Sequence, residues 1–258
     1  MSISPIIYHY FRQPLPYVQT LALQEKIHQI QMTQRKTDSH KDILLLLQHR
    51  PVYTAGRRQT EEAVRDERTR LNTMGADFVT ATRGGELTYH GPGQIVGYPL
   101  MDLSRYSPTL GVQDYVCRMQ KTLEFHLREG HGITPIPSQH TGVFLNSNTK
   151  IGSIGVQVRH RLTSHGFSLN ITREPISWFN QIVACGLEDV NAVSIETAQL
   201  KDVRVEDEIS GLVSRFGHLY EREIMPMVLE AEGEIGKAIA SLEEEAKRAG
   251  PWPKMPTL

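Results

Sequence analysis

A glycine-rich segment, residues 83–94, holds the densest group of side chains in this sequence that could do chemistry. It combines four glycines and a proline with Arg83, Tyr89 and His90. Glycine lets the backbone adopt angles closed to other residues and pass close to a ligand, so polar side chains here are held on a tightly turned loop. We therefore expect residues 83–94 to form a binding loop and not a core helix or strand.

A second candidate for chemistry is Cys185, which lies between an alanine and a glycine that give its thiol little steric cover. A thiol is mostly protonated at neutral pH, so a nucleophilic cysteine needs a nearby cation, a base or aligned backbone dipoles. The candidate partners are Lys150, His90 and His165, and their spacing does not select one of them. The two histidines and the cysteine could also bind a metal, but none of them has the close Cys/His neighbour typical of zinc sites, so no metal is expected.

The composition argues against several classes of protein. The 258 residues carry a formal net charge of -1, which provides no general attraction to nucleic acid or to an anionic membrane. The longest apolar stretch, residues 43–47, is far shorter than the ~20 residues that span a bilayer, so no membrane span is expected. Two cysteines are too few for a disulfide framework, and Cys117 is expected to be a half-buried helical side chain without a catalytic role.

Strand-like and helix-like patterns alternate along the chain without a repeat or a low-complexity linker, which favours one mixed α/β domain. The predicted elements are strand 5–11, helix 17–35, strand 42–49, loop 51–59, a charged helix ending near Gly75, strand 78–83, strand 94–101, helix 113–129, a hairpin of 142–145 and 150–158, and strand 165–171. In the second hairpin strand, Gly152, Ser153 and Gly155 remove bulk close to Lys150. Another chain or a ligand can therefore approach the backbone there.

Four segments, taken in order, resemble the octanoyltransferases that begin lipoate synthesis, also called lipoyl(octanoyl) transferases: residues 83–94, 150–159, 165–170 and 182–187. The resemblance runs from about Tyr8 to Tyr220. It implies an α+β fold, the single-domain catalytic fold of biotin and lipoate protein ligases, in which helices flank a mixed sheet. We expect the catalytic domain over residues 1–225 and a C-terminal extension, a helix followed by a loose tail, over residues 226–258.

The resemblance also implies a reaction and its partners. An octanoyl group would move from octanoyl-acyl carrier protein to a lysine on a lipoyl domain. That domain would belong to the E2 subunit of a 2-oxoacid dehydrogenase or to the glycine-cleavage H protein. The incoming thioester is already activated, so neither ATP nor any other cofactor is expected. The implied class is an acyltransferase of protein lipoylation that works through an acyl-thioester intermediate.

By the same resemblance, Cys185 matches the acyl-thioester nucleophile and Lys150 matches the lysine that lowers the pKa of that cysteine. An ammonium about 4 Å from a thiolate contributes roughly 4 kcal/mol at an effective dielectric of about 20, before desolvation is subtracted. The expected substrate-binding residues are Arg83, Gly84, Gly85, Glu86, Leu87, Thr88, Tyr89, His90, Ser153, Ile154, Gly155, Gly166, Phe167 and Ser168. Their glycines and small side chains leave room for a narrow apolar channel that suits an eight-carbon chain.

Two other functions stay open beside this one. An ATP-dependent lipoate ligase would form an adenylate without needing a thiol, although residues 83–94 lack the pattern of that branch. A module that only docks lipoyl domains would bind its partner without Lys150 or Cys185. One residue departs from the octanoyltransferase pattern, since Ala184 stands where proline is usual, but alanine adds no chemistry that blocks attack by the cysteine.

Localisation follows only from the resemblance, because family members work in the bacterial cytoplasm or in the mitochondrial matrix. Residues 161–166 and the C-terminal tail are closer to eukaryotic members, which favours the mitochondrial matrix. A bacterial source would place the protein in the cytoplasm. The N-terminus shows neither a signal core nor an Arg-rich presequence, so it gives no targeting information.

Overall fold

The computed structural model describes residues 3–183 and 190–257, and its main feature is a mixed sheet of eight strands. The described strands, numbered in chain order, are β1 (Ile6–Tyr10), β2 (Asp42–Leu47), β3 (Val52–Ala55), β4 (Asp77–Thr80), β5 (Thr88–His90), β6 (Gln94–Leu100), β7 (Val143–Asn146), β8 (Thr149–Arg159), β9 (Leu162–Asn170), β10 (Asn191–Ala192) and β11 (Ile224–Pro226). The order in the main sheet is β10–β8–β9–β6–β2–β1–β11, and β7 pairs with β8 off that path. Strand β1 is parallel to β2 and β11, whereas β6 and β9 are antiparallel to their neighbours. The mixed sheet is therefore confirmed.

Helices cover both faces of this sheet. The described helices are α1 (Tyr17–Gln34), α2 (Arg65–Thr73), α3 (Val112–His131), α4 (Glu174–Phe179), α5 (Ile195–Gln199), α6 (Val205–Leu219) and α7 (Gly233–Arg248). Leu44 and Leu46 of β2 pack with α3 and α6, whereas Ile43, Leu45 and Leu47 pack with α1 and α7. Because successive side chains of a strand point to opposite faces, a strand buried on both sides is apolar throughout. The fold is α+β, with the main sheet between two helical layers.

A second sheet, β4–β3–β5, carries part of the glycine-rich segment and corrects two expectations. Residues 51–59, expected to be a loop, contain β3, which is buried between β4 and β5. The expectation that residues 83–94 contain no core strand is also wrong, because β5 is buried and pairs antiparallel with β3. Both strands have four residues or fewer, so the alternation of apolar and polar residues within each is too short to predict a strand. Each strand forms because it pairs with a distant segment of the chain.

Helix α3 matches the predicted amphipathic helix and ends at Gly132, whose φ of +65° is the left-handed conformation common after a helix. Met119 and Leu123 are fully buried. Cys117, by contrast, is exposed, so the expectation of a half-buried thiol is wrong. The apolar stripe of α3 faces α6 and the sheet, and Cys117 lies outside that stripe. Among the described helices, none combines the length and apolarity needed to cross a lipid bilayer.

The segment after residue 225 contributes to the core. Strand β11 pairs with β1, and Ile235 and Ile239 of α7 are buried in the cluster that includes α1. The chain beyond α7 then runs past α2: the carbonyl oxygen of Gly250 accepts a 2.6 Å hydrogen bond from Arg50, and the backbone N–H of Thr257 donates to Met74 at 3.0 Å. A boundary between domain and extension at residue 225 remains a prediction.

Candidate active site

A cavity of about 630 Å³ lies between the glycine-rich segment, β8, β9 and the start of α3. The predicted site residues on its wall are Arg83, Gly84, Gly85, Glu86, Thr88, His90, Lys150, Ser153, Ile154, Gly155, Gly166, Phe167 and Ser168. The fold thus brings three distant segments to one place. Much of the wall between them is apolar, since Val116, Ile154, Val156 and Phe167 contribute to it.

Leu87 and Tyr89, also predicted as site residues, are not on the cavity wall. Both are buried behind it in a cluster with Trp178, and the Tyr89 ring stacks on the Trp178 ring with centroids 5.5 Å apart and planes 6° apart. Alternate side chains of a strand point to opposite sides. Thr88 and His90 therefore line the cavity, while Leu87 and Tyr89 support the segment from the other side.

The glycine-rich segment lies directly against the backbone of β8, as the small residues of that strand led us to expect. The N–H of Gly84 donates to the carbonyl oxygen of Val156 at 3.1 Å. A Cβ atom at Gly155 would lie 2.9 Å from the Gly84 carbonyl oxygen, and one at Gly56 would lie 2.0 Å from that of Gly85. Larger side chains at these positions would push the segment away, so the glycines set the shape of this wall.

Arg83 holds the segment in its turned conformation. Its buried guanidinium donates to both the carbonyl oxygen and the hydroxyl of Thr54, at 2.6 and 2.7 Å, and so ties the segment to β3. It also donates to the carbonyl oxygens of Glu86 and Gly84, each at 2.9 Å. Arg83 therefore lines the cavity while its donors shape the loop around it.

Lys150, the second residue of β8, is buried at the cavity wall and lies in a confined space. Its Nζ is 5.3 Å from the centroid of the Phe144 ring, a cation–π distance. The Lys150 side chain passes over Gly142, where a Cβ atom would lie 2.7 Å from Cε and 3.2 Å from Nζ. Gly142 also has a φ of +135°, which other residues rarely adopt. The position of the ammonium therefore depends on a glycine outside the predicted motifs.

His90 is buried at the cavity wall and is oriented by a chain of hydrogen bonds. The Gln94 side chain donates through Nε2 to Oδ1 of Asn170 at 2.8 Å, which leaves its Oε1 to accept from Nδ1 of His90 at 2.7 Å. The pKa of His90 is well below the usual histidine value, mainly because the side chain is buried and to a smaller extent because His49 is close. At neutral pH His90 is therefore uncharged, with its proton on Nδ1.

His165 also lines the cavity and has a φ of +58° within β9. Its backbone N–H donates to Oε1 of Gln24 at 2.8 Å, which anchors this strained position to α1. The pKa of His165 is lowered to about 3, mainly by burial and to a smaller extent by the guanidinium groups of Arg83 and Arg159. This side chain is also uncharged at neutral pH.

Several residues of the wall were not singled out from the sequence: Tyr17, Arg57, Arg58, Val96, Tyr98, Val112, Val116, Gln139, His140, Thr141 and Val156. Tyr17 and Tyr98 belong to a predicted helix and a predicted strand, and nothing in those patterns distinguishes them from core residues. Tyr98 is held by a 2.6 Å hydrogen bond between its hydroxyl and Nε2 of His49, and the Tyr17 ring stacks 6.4 Å from that of His90. Arg57 and Arg58 could have been found from the sequence, because two adjacent positive charges after a glycine in a predicted loop are typical of a binding segment.

Cys185, the predicted nucleophile, and Ala184 lie outside the described residues. The described chain resumes at residue 190, and β10 then pairs in parallel with the start of β8, with Ala192 opposite Lys150. The N–H of Val193 donates to the carbonyl oxygen of Lys150 at 3.0 Å. The chain that follows Cys185 therefore returns to the strand that carries Lys150.

Within residues 3–183 and 190–257, one group of side chains has the composition of a metal site: His126, His131 and Glu208, whose ligand atoms lie within 4.8 Å of one another. Both histidine Nε2 atoms are 2.7 Å from the same Glu208 oxygen, so they form a hydrogen-bonded network that joins α3 to α6. None of the three residues lines the cavity.

This network makes stability depend on pH in two directions. Burial tends to raise the pKa of Glu208, but the hydrogen bonds from His126 and His131 lower it from 4.5 to about 2. That stabilisation is present above about pH 4.5 and is lost as the pH falls toward 2. The hydrogen bond to Glu208 raises the pKa of His131 above 6.5. The contribution of His131 to the stability of the fold is therefore present below pH 6.5 and is lost as the pH rises through the raised pKa.

A sequence profile of the lipoyl protein ligase A/B catalytic domain matches residues 16–217. An octanoyltransferase of Koribacter versatilis is 34% identical over 197 residues, covering 74% of this chain and 76% of the relative. An octanoyltransferase of Caldicellulosiruptor saccharolyticus is 35% identical, covering 81% of this chain and 87% of the relative. A mitochondrial octanoyl-[acyl-carrier-protein]:protein N-octanoyltransferase of Danio rerio is 38% identical, covering 74% and 84%.

Solved structures give the same fold. Lipoate-protein ligase A bound with ATP has a TM-score of 0.67 at 14% identity, covering 96% of this chain and 95% of that chain. A chain from the bi-partite lipoate protein ligase and E2 lipoyl domain of Thermoplasma acidophilum has a TM-score of 0.62 at 12% identity, covering 96% and 93%. At such identities the likeness concerns the fold alone.

Proposed function

This chain belongs to the octanoyltransferase family of lipoyl protein ligase A/B catalytic domains and is an acyltransferase of protein lipoylation; from that premise we propose that it transfers octanoate through a thioester on Cys185. The donor is octanoyl-acyl carrier protein. The acceptor is a lysine of a lipoyl domain, in an E2 subunit of a 2-oxoacid dehydrogenase or in the glycine-cleavage H protein. Neither ATP nor another cofactor takes part.

One observation carries this proposal: Lys150 is buried at the wall of a partly apolar cavity, on the strand that the chain joins soon after Cys185. Of the three partners considered for the cysteine, His90 and His165 are uncharged at neutral pH because burial lowers the pKa of each. Lys150 is then the one that offers a positive charge to a thiolate. The proposed pair is therefore Cys185 and Lys150.

In the first half-reaction the thiolate of Cys185 attacks the thioester carbonyl carbon of the donor. A new sulfur–carbon bond forms, the bond to the carrier sulfur breaks, and the carrier leaves as a thiolate that takes up a proton from the Lys150 ammonium. One thioester replaces another, so the step is nearly balanced in free energy. The ammonium of Lys150 stabilises the attacking thiolate before the step and the charge on sulfur during it.

In the second half-reaction the acceptor lysine amine attacks the acyl carbon on Cys185. The amide bond forms, the bond to sulfur breaks, and Cys185 is regenerated. The attacking nitrogen must lose a proton, and we propose that Lys150 accepts it, because Lys150 is an uncharged amine after giving its own proton to the carrier thiolate. Cys185 then leaves as a thiolate beside the restored ammonium. Amide formation from a thioester is downhill, which drives the whole transfer.

We propose that the apolar part of the cavity holds the acyl chain. The predicted residues Ser153, Ile154, Gly155, Gly166, Phe167 and Ser168 lie along this wall. Burial of each CH₂ contributes about 0.8 kcal/mol, so a seven-carbon tail contributes on the order of 5 kcal/mol before ordering costs. Arg83–His90 would close the other side, with Leu87 and Tyr89 acting through packing.

Intact-mass analysis after mixing the protein with octanoyl-acyl carrier protein tests the nucleophile, the substrate and the reaction class together. We expect a mass increase of one octanoyl group that is lost in Cys185→Ser. Because Cys117 is exposed, Cys117→Ser is the matched control and should keep the adduct. An adduct that survives in Cys185→Ser, or release of pyrophosphate from ATP with free octanoate, would overturn the proposal.

We also propose the mitochondrial matrix as the location if the source is eukaryotic, and the cytoplasm if it is bacterial. The mitochondrial name of the Danio rerio relative supports the first case. Fractionation of cells that express the tagged full-length protein tests it.

A further inference from the structure

Two adjacent arginines stand at the cavity with no role in the transfer chemistry described above. Arg57 and Arg58 follow β3, are exposed to solvent, and both line the cavity. The N–H of Arg57 donates to the carbonyl oxygen of Arg83 at 3.1 Å, and Gln59 closes a turn onto Gly56 at 3.0 Å. The backbone of the arginine pair is thus fixed against the glycine-rich segment while the two side chains reach the cavity mouth.

In the part of the chain that the structure describes, neither guanidinium forms an ion pair with a carboxylate. Nearby arginines differ: Arg68 pairs with Glu61 and Arg70 pairs with Glu67, each at 2.6 Å. Two of the acidic residues that follow the pair in sequence, Glu61 and Glu67, are therefore already engaged with other arginines.

The cavity lining is unusually positive for a chain whose formal net charge is -1. Among its described residues Glu86 is the acidic one, against Arg57, Arg58, Arg83 and Lys150. Arg83 binds the loop carbonyls and Lys150 is buried at the inner wall. The two exposed arginines remain as the positive charge that an incoming ligand meets.

An octanoyl thioester has no charge at its reacting end, so the positive charges of Arg57 and Arg58 do not help to bind the acyl group itself. The arm that carries the thioester on an acyl carrier protein ends in a phosphodiester. Guanidinium groups match phosphate oxygens with paired hydrogen bonds. We propose that Arg57 and Arg58 form an anion subsite that binds the phosphate of the donor arm while the thioester reaches the inner wall. This subsite rests on the proposed function.

The test uses two small donors that differ only in this group, octanoyl-phosphopantetheine and octanoyl-pantetheine. The readout is the rate of acyl-enzyme formation by intact mass, in the wild type, Arg57→Ala, Arg58→Ala and the double variant. Since a hydrogen bond to a charged group is lost at each position, we expect the preference for the phosphorylated donor to fall about ten-fold per arginine. Arg65→Ala is the matched control, because Arg65 is exposed on α2 and does not line the cavity.

A binding measurement separates failure of the subsite from failure of the proposed function. Calorimetry on Cys185→Ser compares phosphopantetheine with pantetheine, so it needs no transfer. Phosphate-dependent affinity that disappears in the double variant supports the subsite even if no acyl-enzyme forms. Equal slowing of both donors would mean that the pair only shapes the loop. Slowing with the whole carrier protein alone would mean that carrier carboxylates are bound, and either result overturns the proposal.

Discussion

Gly142→Ala tests the role of Lys150 without substituting either member of the proposed catalytic pair. A methyl group at this position would lie 2.7 Å from Cε of Lys150 and 2.8 Å from the carbonyl oxygen of Gly152. The lysine side chain is the flexible partner and is displaced, while the contact with the backbone carbonyl adds strain between Gly142 and β8. We predict that Gly142→Ala slows acylation of Cys185 about ten-fold at a pH below the pKa of the thiol, while the protein stays folded.

The magnitude follows from two distances. An ordinary contact of 3.4 Å exceeds the 2.7 Å found here, so Cε must move by at least 0.7 Å (3.4 − 2.7), and Nζ, at the end of the chain, moves further. If the distance from ammonium to thiolate grows from about 4 to about 6 Å, their attraction falls from roughly 4 to roughly 3 kcal/mol at an effective dielectric of about 20. A loss of about 1.4 kcal/mol is about ten-fold less thiolate at any pH below the pKa of the thiol.

The assay measures how fast iodoacetamide alkylates Cys185 across a pH series, in a Cys117→Ser background so that one thiol reacts. Acyl-enzyme formation is followed in the same samples. Gly142→Ala should move the alkylation profile to higher pH and slow acylation. Gly132→Ala is the control, because Gly132 also has a positive φ, +65°, but has no atom within 4 Å of a Cβ. Gly132→Ala should lose about 1 kcal/mol of stability from backbone strain. Gly142→Ala should lose more, about 3 kcal/mol, because its φ of +135° is outside the left-handed helical region and its Cβ also meets the Gly152 carbonyl oxygen.

One result would refute the reasoning. If Gly142→Ala is folded at the assay temperature, yet alkylates and acylates with the wild-type pH profile, then the ammonium of Lys150 does not ionise Cys185. The proposed pairing would then be wrong even though the cavity and the family remain.

Two further predictions concern stability. The free energy of unfolding of the wild type should exceed that of Glu208→Gln by on the order of 2 kcal/mol between about pH 4.5 and 6.5. The difference should shrink below and above that pH range. Urea unfolding curves measured across pH check this, and a difference that does not change with pH would contradict it. Gly166→Ala places a Cβ 2.1 Å from the Gly97 carbonyl oxygen, so it should cost about 3 kcal/mol by forcing β9 from β6. Gly130→Ala, in α3 with no atom within 4 Å, should cost nothing, and equal melting temperatures would refute the contact argument.

Long periodic elements were predictable from the sequence because their pattern is local. The apolar spacing in α1 and α3 and the continuous apolar run of β2 each reflect which faces are covered. The short strands β3 and β5 were not predictable in the same way. Each is stabilised by pairing with a segment far along the chain, and a stretch of three or four residues carries too little pattern of its own.

The exposure of Cys117 shows a similar limit. A helical pattern tells which residues share a stripe, but the width of the buried stripe depends on how closely α6 packs against α3. Cys117 sits next to that stripe, so the sequence could not decide between half-buried and exposed.

For the site, the sequence by itself determined the residue types: a glycine-rich segment, a lysine beside small residues, a cysteine with little cover, and the family that this combination indicates. These are local properties, read from neighbours along the chain. Only the tertiary structure decided that Leu87 and Tyr89 support the cavity from behind, that Gly142 confines Lys150, that burial keeps His90 and His165 uncharged, and that Arg57 and Arg58 stand at the mouth. Each of these depends on distances and desolvation between segments far apart in sequence, which spacing along the chain does not encode.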